Sequence, residues 1–143
     1  MTDAMQGEGR PRLPAGVREG ARLGPAERLH GRESFARLRS EGRRAGDEVL
    51  RLTVARNGLA WARIGCAVPR QFGCAVRRNK MRRLIREAFR LEKAALPPGY
   101  DLLAGPGSGP GEPDLERVRR SLVALANDCV RRLERARGKA GER

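Results

Sequence analysis

Between Arg70 and Lys93 the chain carries nine Lys and Arg side chains against only Glu87 and Glu92, a surplus of seven charges and half of the protein's net +14. From Val76 onward, apolar residues recur at Met81, Leu84, Ile85 and Ala88, the i, i+3, i+4, i+7 spacing of one helix face. Asn79, Arg83, Arg86 and Arg90 keep helical spacing opposite them, with Arg70, Arg77, Arg78, Lys80 and Arg82 beside or just before. Such a helix can bury one side only. It must end near Leu96, because Pro97-Pro98-Gly99 cannot continue it.

The charge has a cost that helps to read it. Arg78–Arg82, Arg82–Arg86 and Arg86–Arg90 are like charges one turn apart, each disfavouring the helix by roughly 0.2–0.5 kcal/mol. A merely solvated face normally mixes signs. Here both acidic residues stand toward the C-terminal end, where the helix dipole disfavours them. A face preassembled for phosphates accounts for the pattern better, and Arg suits bidentate phosphate contacts. Arg richness by itself carries little, since a GC-rich genome also produces it. Asn79 near the helix start reads first as an N-cap, with a contact to an RNA backbone or base edge as the sharper alternative.

The rest of the chain narrows the partner. Its 143 residues suit one domain, and a pI near 11.4 points to a polyanion rather than a small-molecule substrate. No run of about 18 apolar residues could span a bilayer, and five aromatics are few for a membrane-surface helix. The first 25 residues lack the apolar stretch of a secretory signal, so a cytoplasmic location is expected. Cys66, Cys74 and Cys129 are widely spaced and His30 is the sole histidine, so neither a metal site nor a disulfide framework is expected. No Ser/His/Asp set, phosphate-binding Gly loop or convincing carboxylate pair stands out, so no catalytic residue is assigned.

Residues 1–25, rich in Gly, Pro and Arg, read as a disordered basic tail, residues 26–137 as one folded domain and 138–143 as a second tail. A short helix is expected over 31–42, closed by Gly42 as a C′ residue. A strand follows over 48–55, with Leu50, Leu52 and Val54 on one face and Arg51, Thr53 and Ala55 on the other. A second is expected over 61–68, and Asn57-Gly58 between them signals a hairpin. Tyr100–Ala104 reads as an inner strand and 105–113 as a flexible linker. Leu115, Val118, Leu122, Leu125, Cys129 and Leu133 form the stripe of a long final helix. A further short strand fits around 44–50 or 66–73.

"GCAVRRNKMRRLIREAFR" (73–90), with "RIGCAVPRQF" before it and "LPPGYDLL" after it, resembles the protein subunit of bacterial ribonuclease P. The family pattern, approximately G-N-A-V-x-R-N-R-x-K-R-x-x-R-E, is met at Gly73, Ala75, Val76, Arg78, Asn79, Arg83, Arg86 and Glu87. Arg82 replaces the usual Lys, and Lys80 the second Arg of Arg-Asn-Arg. The resemblance runs from about Arg28 to about Arg135. It implies an α+β sandwich of order αβββαβα, like the second domain of ribosomal protein S5, with a four-stranded sheet and a left-handed β-α-β crossover against the usual rule.

The resemblance further implies that the basic helix binds a catalytic RNA, that Mg²⁺ is held mainly by that RNA, and that the ribonucleoprotein removes 5′ leaders from precursor tRNA. It places the leader in a cleft between the first helix and the sheet, at Phe35, Arg39, Arg51 and Thr53. There the chain departs from the family, with Arg39 and Thr53 where aromatics are often found, so charge from Arg39 and Arg51 takes the place of base stacking. Ordinary packing is the plainer reading of Phe35. Pro69, Gln71 and Cys74 also depart from the usual Ser, Lys and Asn, and Gly105 lacks an Arg often found there. A structural RNA-binding protein of ribosomal type shares the charge and size but not the ordered motif over 73–87. A DNA-binding protein is weaker still, lacking a helix-turn-helix pair or zipper.

Overall fold

The computed structural model describes residues 23–141, with side chains to residue 138. All but the last three positions of the expected N-terminal tail thus lie outside the described residues. Those last positions are part of the fold: Leu23 packs against the core and Pro25–Glu27 form a 3₁₀ turn whose Glu27 is buried. Glu27 accepts the Gly24 N–H and pairs with Lys93 at 2.6 Å, while the Trp61 indole N–H donates to Ala26 O at 2.7 Å.

The elements run α1 (Arg32–Glu41), β1 (Arg43–Gly46), β2 (Leu50–Arg56), β3 (Arg63–Cys66), α2 (Ala75–Glu92), β4 (Tyr100–Pro106) and α3 (Leu115–Gly141). This is the expected αβββαβα order. α3 runs on past residue 137, through Gly141, into the stretch read from sequence as a second tail. The four strands form one sheet in the order β1-β2-β4-β3. β2 is antiparallel to both β1 and β4, and β3 lies parallel to β4, joined to it through α2. β3, α2 and β4 thus form the β-α-β unit expected of the fold.

The Asn57-Gly58 expectation is corrected by the topology. The dipeptide does turn the chain, with Gly58 at φ +71°, but β2 and β3 do not pair, because β4 lies between them. Asn57 serves instead as a buried junction: its Nδ2 donates to Asp101 Oδ1 (3.0 Å) and Trp61 O (3.1 Å), and its Oδ1 accepts the Leu59 N–H. The hairpin is β1–β2, with Ala45 opposite Leu52.

Strand alternation sorts the core. Leu50, Leu52, Val54, Ile64, Leu102 and Ala104 point to the face covered by α2 and α3 and are all but fully buried. α2 contributes Met81, Ile85, Ala88 and Phe89, and α3 contributes Val118, Leu122, Ala126 and Cys129. Each large side chain sealed here contributes about 1.5–3 kcal/mol from burial. On the opposite face Leu29, Leu38 and Ala55 form a smaller cluster with Phe35 and Leu103, which seats α1 on the sheet.

α1 stops at Gly42 for a reason other than the expected left-handed C′ conformation. Gly42 has φ −73°, and its N–H donates to Leu38 O at 3.1 Å. A Cβ there would lie 2.3 Å from Leu38 O and 2.8 Å from Thr53 Cγ2. Glycine is needed because the helix end lies directly on β2.

Candidate nucleic-acid interface

α2 starts at Ala75, a turn before Asn79, and its N-cap Cys74 offers no side-chain capping bond. The N-cap reading of Asn79 is therefore overturned. Asn79 is exposed, and its Oδ1 accepts from Arg82 Nη1 at 2.8 Å. Opposite the buried Met81, Ile85 and Ala88, helical spacing brings Asn79, Arg83, Arg86 and Arg90 onto one outward stripe. Arg83 and Arg86 are exposed and pair with no carboxylate among the described residues. Arg90 is bound to Glu87, its Nε at 3.0 Å from Oε2, and this hydrogen bond holds the Glu87 carboxyl below its ordinary range.

The remaining cations frame the stripe differently from the even band that spacing suggested. Arg78 falls with Met81 and Ile85 on the inner side; it is half-buried, and its Nε has no hydrogen-bond partner among the described residues. Arg82 is half-buried at one margin, beside Cys66. Arg77 and Lys80 stand at the other margin, both paired with Glu112, at 3.0 and 3.2 Å. Arg70 is exposed on the 3₁₀ turn Arg70–Phe72 that leads into the helix. Val76, 73% exposed, is the one strongly exposed large apolar residue among those described, and it stands among these cations.

The second face of the sheet is covered in part, by α1 and Leu29. Phe35 is half-buried in the cluster with Leu29, Leu38, Ala55 and Leu103, so its first role is packing. Arg39 is exposed on the last turns of α1, and Thr53 lies beneath the helix end, against Gly42. Beyond α1 the face is open. Arg51 is exposed there, with Gly46 of β1 and Gly105 of β4 as its cross-strand partners, and Arg44 stands opposite Thr53. The four expected cleft residues thus share one region, but it is a basic floor of small residues with no exposed aromatic ring. Arg44 was missed from sequence because a four-residue strand shows no readable alternation.

What sets α1 over this floor is a buried charged junction. Asp101, 1% exposed, accepts from Arg63 Nε and Nη2, both at 2.7 Å, and from Asn57. Arg63 Nη2 also donates to Ser34 Oγ of α1 at 2.9 Å. The bidentate pair satisfies a charge that burial would otherwise penalise. Only Asn57 stood out in sequence, and as a turn signal; Asp101 did not, because it lies inside an apolar strand run.

No helix among the described residues is long and apolar enough to cross a membrane. Nor do the described residues hold any group of three or more His, Cys, Asp or Glu placed to bind a metal.

Comparison with known proteins agrees with this geometry. The family model for ribonuclease P matches residues 23–130. The ribonuclease P protein component of Thermotoga maritima is 39% identical over 92 residues, covering 64% of this chain and 78% of that protein. That of Chloroflexus aurantiacus is 45% identical over 78 residues, 54% of this chain and 58% of the relative. Among solved structures, the Thermotoga maritima RNase P protein superposes with a TM-score of 0.61 at 34% identity, over 70% of this chain and 94% of that one. The Staphylococcus aureus RNase P protein, at 23% identity and a TM-score of 0.60, shares the fold. With the motif of residues 73–87 on an outward helix and the sheet order in place, the chain belongs to the ribonuclease P protein family and is the protein subunit of that endoribonuclease.

Proposed function

We propose that the outward stripe of α2 holds the catalytic RNA of ribonuclease P and that the open part of the sheet holds the 5′ leader of precursor tRNA. The observation that carries the reading is the pairing pattern of the stripe. Arg83 and Arg86 are exposed beside each other and neither has a carboxylate partner among the described residues, an arrangement costly to a free helix and useful to one that meets phosphates. Asn79, Arg82 and Arg90 complete the contact, with Arg70, Arg77, Arg78 and Lys80 around it. In the cleft, Arg51 and Arg39 hold leader phosphates while Thr53 and Phe35 shape the wall.

The protein's own contribution is electrostatic and positional. Two-metal phosphodiester hydrolysis uses Mg²⁺ held by oxygen ligands, and the described residues do not fit as such a cage. In our reading the ion sits mainly on the RNA, and no step runs through the protein's side chains. A chain of net charge +14 replaces part of the counterion atmosphere that two closely approaching RNAs need. Such work sits in the cytoplasm, with the RNA partner.

Reconstitution tests this. The catalytic RNA with raised Mg²⁺ is expected to cleave precursor tRNA slowly, and the protein is expected to restore cleavage at low Mg²⁺, with a benefit that fades as Mg²⁺ rises. Cleavage by rigorously RNA-free protein would overturn the assignment of chemistry to the RNA. Absence of benefit at every Mg²⁺ concentration would leave a structural RNA binder.

A further inference from the structure

Glu112, in the connection from β4 to α3, reaches the first turns of α2. Its Oε1 accepts from Arg77 Nε at 3.0 Å, and its Oε2 lies 3.2 Å from Lys80 Nζ. Arg77 is braced from a second side, its guanidinium 5.1 Å from the centroid of the Phe72 ring.

The connection, read from sequence as a flexible linker, is built to deliver this carboxylate. The N–H groups of Gly107, Ser108 and Gly109 donate to the carbonyls of Val49, Asp47 and Glu48 in the β1–β2 turn, at 3.0, 3.4 and 2.9 Å. A Cβ on Gly107 would stand 2.4 Å from Asp47 O, so only glycine permits so close an approach. Asp47 in turn accepts the Ser121 hydroxyl of α3 and the N–H groups of Val49 and Leu50. Asp47 thus ties the β1–β2 turn to α3, the connection is fastened to that turn, and Glu112 at its far end faces the basic helix.

An Arg and a Lys converging on the two oxygens of one anion is also how these residues hold a phosphodiester. Both pairs are solvent-accessible, with Arg77 at 45% and Lys80 at 58% side-chain exposure, so exchange of one anion for another costs little. We propose that Arg77 and Lys80 form an RNA-phosphate site which Glu112 occupies in the RNA-free protein, and which an incoming RNA takes over by displacing the carboxylate. The inference rests on the reading of α2 as the RNA-binding helix and adds a selection rule to it. A polyanion lying loosely along Arg83 and Arg86 leaves Glu112 in place and gains nothing from the two guarded cations. An RNA whose backbone passes through the carboxylate's position gains both.

The test uses the full chain and its Glu112→Gln variant, with two probes measured across a salt series: the organism's own catalytic RNA and a generic RNA duplex of equal length. For the duplex, the variant is expected to steepen the slope of log K against log salt by about one unit, the effect of roughly one added phosphate contact. Its affinity is expected to rise about two- to fivefold, the range of one surface ion pair. For the catalytic RNA, affinity is expected to rise by a similar factor with the slope unchanged, since that RNA already engages the site. In a Lys80→Gln background the Glu112→Gln effect is expected to shrink. An unchanged duplex slope, or weaker binding of the catalytic RNA, overturns the proposal and leaves Glu112 as a brace for Arg77. Arg83→Ala separates the two levels: if it shallows the slope while Glu112→Gln does nothing, only the guarded site falls. If Arg83→Ala is also without effect, the reading of α2 falls and takes the site with it.

Discussion

Arg63 and Arg83 are the same residue in opposite situations. Arg63 is largely enclosed, its Nε and Nη2 committed to Asp101 and Ser34, whereas Arg83 is exposed and pairs with no carboxylate among the described residues. In the first region charge is spent on holding α1 to the sheet. In the second it is left without an ion pair, at a small cost to α2, and on the proposed reading an RNA partner neutralises it. High positive charge in this chain is therefore two different things, and only the pattern of partners tells them apart.

The sharpest way to break the comparison is to remove Asp101. Asp101→Ala leaves Arg63 buried with a single neutral hydroxyl partner, and loss of one member of a buried pair costs about 3–5 kcal/mol. Chemical denaturation is expected to show a loss of that order, with RNA binding by the fraction still folded unchanged in salt slope. A loss under 1 kcal/mol would mean that the junction is no more than a surface pair. Next, Arg83→Ala together with Arg86→Ala is expected to leave stability within about 0.5 kcal/mol, as surface changes do. The same pair should make the salt slope for RNA shallower by roughly 0.7–0.9 per lost contact. A stability change matching that of Asp101→Ala would erase the distinction.

The cleft lies between these extremes. Arg51 stands on a structural strand yet has no carboxylate partner among the described residues, flanked by Gly46 and Gly105. Arg51→Ala is expected to reduce the preference of the reconstituted enzyme for precursor over mature tRNA by roughly tenfold, the lower end for a hydrogen bond to a charged group. Binding of the catalytic RNA by the free protein should be nearly unchanged. Leaders differing only in base sequence should be held about equally, because among the described residues no exposed ring lines the cleft to stack on. A strong leader-sequence preference would show that the bases are read by other means.

How much of this was legible follows the same division. Helices α2 and α3 and strand β2 could be read because each buries one periodic face, and that periodicity is local. The strand order could not, because the partner of β2 arrives more than forty residues later and Asn57-Gly58 imitates a local hairpin. Composition made the 105–113 connection look loose, since hydrogen bonds from Gly107 and Gly109 to another turn leave no trace in sequence. Asn79 misled for a related reason: the helix begins at an unconventional cap, Cys74, so the usual capping residue stands one turn inside. The outward cations were legible because charge needs no packing to be seen. Which of them are already paired, Arg77 and Lys80 above all, depended on where Glu112 lands.

The smallest expected effects come from pH, whose two ends address different groups. Hydrogen bonds from Arg77 and then Lys80 hold the Glu112 carboxyl below its ordinary 4.5, and the Arg90 bond does the same for Glu87. A depressed carboxylate contributes stability that is present above 4.5 and lost as pH falls through the lowered value. Both groups are exposed, so the loss in acid should be slight, and Glu112→Gln should remove its share. At the alkaline end burial pushes the Cys129 and Cys66 thiols above 9.0. Burial, followed by the Glu134 hydrogen bond, raises the Tyr100 hydroxyl above 10.0. For these groups the native state keeps its proton longer than the unfolded chain, so the contribution is complete below 9.0 and declines as pH rises past it. Stability should therefore fall more from pH 9 to 11 than from pH 5 to 4, and Tyr100→Phe should flatten the alkaline limb above pH 10. A steeper acid limb would mean that surface carboxylate pairs, rather than buried groups, dominate the titration of the fold.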